Sequence, residues 1–175
     1  IDGTDNFNTL LYTGDGNSTK SISGVGFSPD WVWVKNRAST YDHALSDSVR
    51  GASAAYLSSN NTASESTYGK IYGDLTSFDS DGFSVAEGSD STYPDAAFNQ
   101  SSQAYVAWNW LAGTAFSNDA SATSVGTIDS SGQVNTKAGF SIAIWSGNAT
   151  AGATIAHGLS KAPEMLWIKD RDNDG

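Results

Sequence analysis

Three aspartates alternate in Asp170-Arg-Asp172-Asn-Asp174-Gly175, a string that could hold calcium. Calcium takes about six to eight oxygen ligands, alternate aspartates on a turning loop supply several, and glycine allows the bend. A full loop of this kind also brings a bidentate glutamate further on, and the string runs only to its glycine. A solvated acidic loop after a strand is the competing reading. His43 lies between Asp42 and Asp47 with Ser46 near, which is the inventory of a nucleophilic triad, but no G-x-S-x-G elbow or H-E-x-x-H helix accompanies it. A triad is defined by geometry, and a chain rich in Ser and Asp forms such clusters freely. Among 19 acidic residues nothing singles out a pair for glycoside hydrolysis. No catalytic residue is assigned, and the chain reads as a non-enzyme.

The aromatic residues are the more useful lead, with six Trp and seven Tyr. Flat amphipathic rings can stack on sugar faces while their polar tips reach hydroxyls. Trp33, Trp108, Trp110 and Trp167 fall inside strand patterns, and packing is the expectation for them. Tyrosines in turn-like stretches, Tyr12, Tyr41, Tyr68, Tyr72 and Tyr93, suit an exposed contact better, and Tyr41, Tyr68, Tyr72 and Tyr93 are the candidate glycan contacts. Lys35, Arg37, Lys169 and Arg171 make up four of only nine basic residues. They either cap carbonyls and pair with local carboxylates or form an inter-repeat or subunit contact, where a guanidinium fork meets a carboxylate.

These four belong to an internal repeat. Residues 29–37 read P-D-W-V-W-V-K-N-R and residues 163–171 read P-E-M-L-W-I-K-D-R. Phe7, Gly14, Ile22 and Gly24 match Phe140, Gly147, Ile155 and Gly158, and Tyr12 is answered by Trp145. The first copy has Asn36, Ala38 and Thr40 where the second has its aspartates, so the duplication does not carry calcium ligands. A period this long describes a duplicated domain or half-domain rather than one turn of a solenoid. The first copy, from Phe7 to about Gly139, is the complete one, and the chain is expected to be a segment of a longer protein.

The positioning elements read as strands. Runs at 8–12, 21–25, 30–35, 54–58, 82–86 and 103–111 are short, rich in β-branched and aromatic residues and bounded by Gly, Asn, Asp and Ser. Residues 43–49 are strand or irregular. Alternation puts Trp31 and Trp33 on one face and Val32 and Val34 on the other, as in a central strand apolar on both faces. Tyr12-Thr-Gly-Asp-Gly16 and Phe78-Asp-Ser-Asp-Gly-Phe83 have the form of hairpin connections. The expected fold is all-β, an antiparallel β-sandwich of jelly-roll or lectin-like type. It comprises a repeat unit at 1–113, a Ser/Thr/Ala/Gly-rich linker or long connection at 114–139, and the start of an incomplete second copy at 140–175.

Composition narrows the partners. A net charge of −10 repels phosphate backbones, so nucleic acid is not expected. No apolar run approaches the roughly 20 residues of a membrane span, and no membrane insertion is expected. The absence of cysteine excludes thiolate metal sites and cysteine nucleophiles. Calcium is the only cofactor the residues suggest.

Six motifs in order carry a further resemblance: Tyr12 to Gly16, Pro29 to Arg37, Ser53 to Thr62, Ser77 to Phe83, Tyr105 to Trp110, and Gly139 to Ile142. The chain resembles a family of repeat domains in structural and tail-fibre-like proteins of marine bacteriophages, whose turn is Y-T-G-N-G where this chain has Asp15. The resemblance implies a lectin-like β-sandwich on the extracellular surface of a virion, without an established activity. It implies a structural module of a tail fibre, appendage or capsid exterior that meets other copies of itself or other virion proteins. A glycan-binding adhesin for host surface polysaccharide, or a polysaccharide-degrading enzyme on the same fold, are the alternatives.

Overall fold

A computed structural model describes residues 3–65 and 70–173. It is nearly all β, with antiparallel sheets, and divides into two compact units, Ile1–Trp110 with Trp167–Gly175, and Leu111–Leu166.

The first unit opens with a short 3-10 turn, Gly3–Asp5, and then has two sheets. One carries β1 (Phe7–Thr13), β7 (Ala104–Trp110), β3 (Trp31–Asn36) and β4 (Ala44–Asp47), paired in that order. The other carries β2 (Thr19–Ser23), β6 (Gly82–Ala86) and β5 (Asp74–Asp79). Val32, Val34, Ala44, Ala107 and Tyr105 from the first meet Ile22, Leu75, Phe83 and Val85 from the second in one buried core, completed by Phe98, Ala97 and Tyr56. Alternation explains the choice: every second residue of β3 and β7 points to this core, and those positions hold Val, Ala, Tyr and Asn, while the tryptophans take the other face. Tyr105 is wholly buried, and its hydroxyl donates to the Ala96 carbonyl while accepting from Gln100 N and Asn36 Nδ2. Burial raises its pKa well above the usual tyrosine range. Ser46 Oγ and Asn109 Oδ1, on either side of Val32, are buried without a hydrogen-bond partner among the described residues.

Several expectations change here. Residues 82–86 are β6, and Phe78 faces Phe83 across a two-residue turn, as a hairpin requires. The other proposed hairpin is instead a crossover, because β1 pairs with β7 and β2 pairs with β6. Gly16 there has a φ of +68°, and Gly14 lies so close to the backbone that a Cβ would run into the Gln100 carbonyl oxygen. Residues 54–58 form only an isolated bridge, Leu57 to Leu45, rather than a strand. β5 is obscured in sequence by a bulge between Leu75 and Ser77 that breaks its alternation.

The second unit corrects the expected linker. Residues 114–139 contain β8 (Thr114–Asn118), a helical turn α1 (Ala120–Thr123) and β9 (Ser130–Asn135). β9 pairs with β8 on one edge and β10 (Phe140–Trp145) on the other. Apolar content predicts poorly here because polar bonding holds much of the unit. Asp119 caps α1 by accepting from Ser121 N and Ala122 N, and Ser130 Oγ donates to the Ala156 carbonyl. The second motif copy is therefore divided: residues 140–166 belong with 111–139, whereas Trp167–Gly175 belongs to the first unit.

Candidate functional site

The outer face of the β1-β7-β3-β4 sheet is aromatic. Direct cross-strand partners place Trp31 beside Trp110 and Trp33 beside Trp108, with Phe7 opposite Trp110 on the far side. Trp31 stacks on Trp110 at 4.8 Å between ring centroids, and Phe7 tilts against Trp110 at the same distance. Trp33 tilts against Trp108 at 5.2 Å. All four tryptophans are half-buried rather than core residues. The sequence places them on one face, but packing in a closed interior, expected for Trp33, Trp108 and Trp110, does not describe them.

Trp167 is the fifth ring. It stands edge-on to Trp31 at 6.1 Å and to Trp33 at 4.9 Å, with interplanar angles of 89° and 85°. Positive ring edges over negative faces make this a favourable arrangement. Trp33 Nε1 donates to His43 Nδ1 at 2.8 Å, which requires that nitrogen to be unprotonated. Burial, reinforced by the nearby Lys35 charge, lowers the His43 pKa against the opposing pull of Asp42 and so favours the neutral ring. Ser46 Oγ has no hydrogen-bond partner among the described residues, and the Ser–His contact a triad needs is not formed with His43.

Charged groups flank the rings. Lys35 Nζ donates to the carbonyls of Asn36 and Ser39, and burial lowers its pKa. Lys169 Nζ donates to the Asn61 carbonyl at 3.4 Å. Arg171 places Nε and a terminal nitrogen on Glu65 Oε2, each at 2.8 Å, while Glu65 N donates to the Arg171 carbonyl. Arg37 is exposed and joins the sheet through its backbone, N–H to the Ala104 carbonyl. Glu65 is shared, since Arg50 also reaches its Oε1 at 3.0 Å.

Arg50 is the residue the sequence reading missed. Its side chain is 2% exposed, and its guanidinium donates to Asp47 Oδ2 and Glu65 and to the carbonyls of Ala55 and Leu45. Only its place three residues after Asp47 hinted at this; the other partners are unrelated in spacing.

Along this edge runs an open groove of about 290 Å³, lined by Trp167, Ile168, Lys169 and Asp170 and, across from them, Asn61 and Thr62 among others. Asp170 does not reach for a cation there. Its oxygens accept from Asp172 N, Asn173 N and Asn173 Nδ2, which lower its pKa. Asp172 is exposed, Asp174 lies outside the described residues, and among the described residues no three His, Cys, Asp or Glu side chains converge as metal ligands do. Of the tyrosines, Tyr41 and Tyr93 meet at 6.2 Å, and Tyr93 is exposed. Tyr72 packs against the core, and Tyr68 lies outside the described residues. Tyr12 is a core-facing strand residue, stacked on Tyr105 at 5.1 Å with its hydroxyl donating to the Phe98 carbonyl.

A family model for a domain of unknown function, DUF7483, matches residues 2–175 and so spans both motif copies. The chain belongs to this family. No curated protein and no solved structure matches it. Among the described residues of this DUF7483 chain, no helix is long and apolar enough to cross a membrane.

Proposed function

We propose that the chain is a non-enzymatic structural module of a bacteriophage virion, part of a tail fibre, another appendage or the capsid exterior, acting in assembly and surface display. One observation carries this: the end of the second motif copy serves as a docking element, with Trp167 on the Trp31–Trp33 pair and Arg171 forked onto Glu65. A repeated motif that is a core strand in one place and a clasp in the other suits a protein built by laying one unit upon the next. Its partners are other copies of itself or other virion proteins. Antibodies raised against the chain should decorate intact virions of the phage that encodes it; particles that stay unlabelled and lack the protein by mass spectrometry would overturn the assignment.

A glycan-binding adhesin is the second reading, favoured by the exposed Tyr93 beside Tyr41 and by the groove in which Trp167 is ringed by hydroxyl and amide groups. Binding of host surface polysaccharide on an array, lost in Tyr93→Ala or Trp167→Ala, would support it. No binding with and without calcium would exclude it.

A further inference from the structure

We propose that His43 is a proton-operated latch on the tryptophan face: with its ring neutral it holds Trp33 against Trp167, and with its ring protonated it lets Trp33 go. Every group in this device belongs to the first unit. Trp33 Nε1 can only donate, so its 2.8 Å bond to His43 Nδ1 exists only while that nitrogen carries no proton. The backbone of His43 is anchored separately, its N–H donating to Asn60 Oδ1, so the imidazole can swing while the chain stays in place. Trp33 is in turn the nearer support of Trp167, at 4.9 Å between ring centroids against 6.1 Å for Trp31. A proton on one ring nitrogen therefore acts on the contact that seats the end of the second motif copy.

The indole would retain a protonated imidazole only if that ring lay over its face, where cations are attracted. The hydrogen bond instead puts His43 at the N–H edge of Trp33, which is positive, with centroids 5.5 Å apart and planes 56° to each other. An imidazolium there would point one N–H at another. Burial disfavours the charged ring most, Lys35 from β3 repels it, and Asp42 attracts it. Lys35 is fixed by the carbonyls of Asn36 and Ser39, while Asp42 already accepts from Asn60 Nδ2 on one oxygen and Asn61 Nδ2 on the other. The folded chain thus takes up this proton less readily than the unfolded one. A histidine whose folded pKa is depressed contributes stability that is present above the unfolded value, about 6.5, and is lost as pH falls through the folded value.

The test follows three nuclear magnetic resonance signals of the isotope-labelled chain as pH is lowered through the histidine range. They are the His43 ring protons, the Trp33 indole N–H, and exchange of the Glu65 amide, whose bond to the Arg171 carbonyl reports whether the segment carrying Trp167 is seated. His43 should titrate below about 6.5, with the Trp33 indole signal moving along the same curve. Protection of the Glu65 amide, corrected for the intrinsic pH dependence of exchange, should fall by about three- to tenfold over that step, the worth of one neutral hydrogen bond. His43→Asn offers an oxygen that accepts throughout this range, so its Glu65 protection should stay level, and its urea midpoint at neutral pH verifies that it is folded. Trp33→Phe removes the donor and serves where the first variant does not fold: it should raise the His43 pKa toward the unfolded value. A Trp33 signal that does not follow His43 overturns the inference. So does a Glu65 amide that keeps its protection through the step or loses as much of it in His43→Asn, and so does a His43 pKa that Trp33→Phe leaves in place.

Discussion

Replacing Arg50 by Met should be among the most damaging single changes in the first unit. The substitution keeps much of the side-chain volume but removes a guanidinium that is 2% exposed and bonded to Asp47, Glu65 and the carbonyls of Ala55 and Leu45. Asp47, itself buried, would keep its charge with the Arg50 guanidinium gone and the Arg50 backbone N–H on one oxygen. Breaking a buried pair from one side costs about 3–5 kcal/mol, because the remaining charge stays desolvated. With a urea m-value of about 2 kcal/mol/M for a unit this size, the midpoint should fall by roughly 2 M. Arg171→Met provides the contrast: its side chain is 43% exposed, and losing its pair with Glu65 should cost about 0–1 kcal/mol. Adding Asp47→Asn to Arg50→Met should recover part of the loss, since the stranded charge goes with it. Five of the six tryptophans lie in this unit, so fluorescence during urea titration reports it directly. A midpoint shift for Arg50→Met no larger than that for Arg171→Met, or no recovery in the double variant, would refute the reasoning.

Two further predictions concern the crossover and the second unit. Asp15 accepts from Lys20 Nζ, Asn17 N and Asn99 Nδ2, with the lysine contact contributing most, and its pKa is held below the usual carboxylate value. A depressed folded pKa gives stability that is present above the unfolded value, near 3.9, and is lost as pH falls toward the folded one. Asp15→Asn should therefore flatten the loss of stability below about pH 5 in acid titrations of the urea midpoint, and an unchanged slope would contradict this. In the second unit, a Cβ on Gly132 would run into the Ile142 carbonyl oxygen across the β9–β10 pair. Gly132→Ala should cost about 1–3 kcal/mol and speed amide exchange in β9 and β10, with β3 and β7 unaffected.

The parts legible in sequence are those where alternation and burial agree. β3, β6 and β7 stood out because β-branched and aromatic residues alternate along them and the small or branched ones face the core. β8 and β9 did not, since Thr-Ala-Phe-Ser-Asn and Ser-Ser-Gly-Gln-Val-Asn form a ladder with backbone groups and bury few apolar atoms. The tryptophan face was half legible: spacing by two aligns Trp31 with Trp33 and Trp108 with Trp110, but whether a face is closed depends on what lies over it. Trp167 lies over it from more than 130 residues away. A separation of 106 residues hid the Arg171–Glu65 pair in the same way, although the repeat marked Arg171 as a contact residue. Tyr12 looked like a turn residue because Gly14 and Gly16 follow it, whereas β1 runs on to Thr13 and turns its ring inward.

The docking of the second motif on the first unit is tested most directly by a double-mutant cycle between Trp33 and Trp167. Each is replaced by Leu, alone and together, and stability is measured by urea titration followed by far-UV circular dichroism. An edge-on pair at 4.9 Å should give a coupling of about 0.5–1.5 kcal/mol. Effects that add to within about 0.3 kcal/mol would mean that Trp167 does not rest on this face in solution, and the proposed docking role would fail with it.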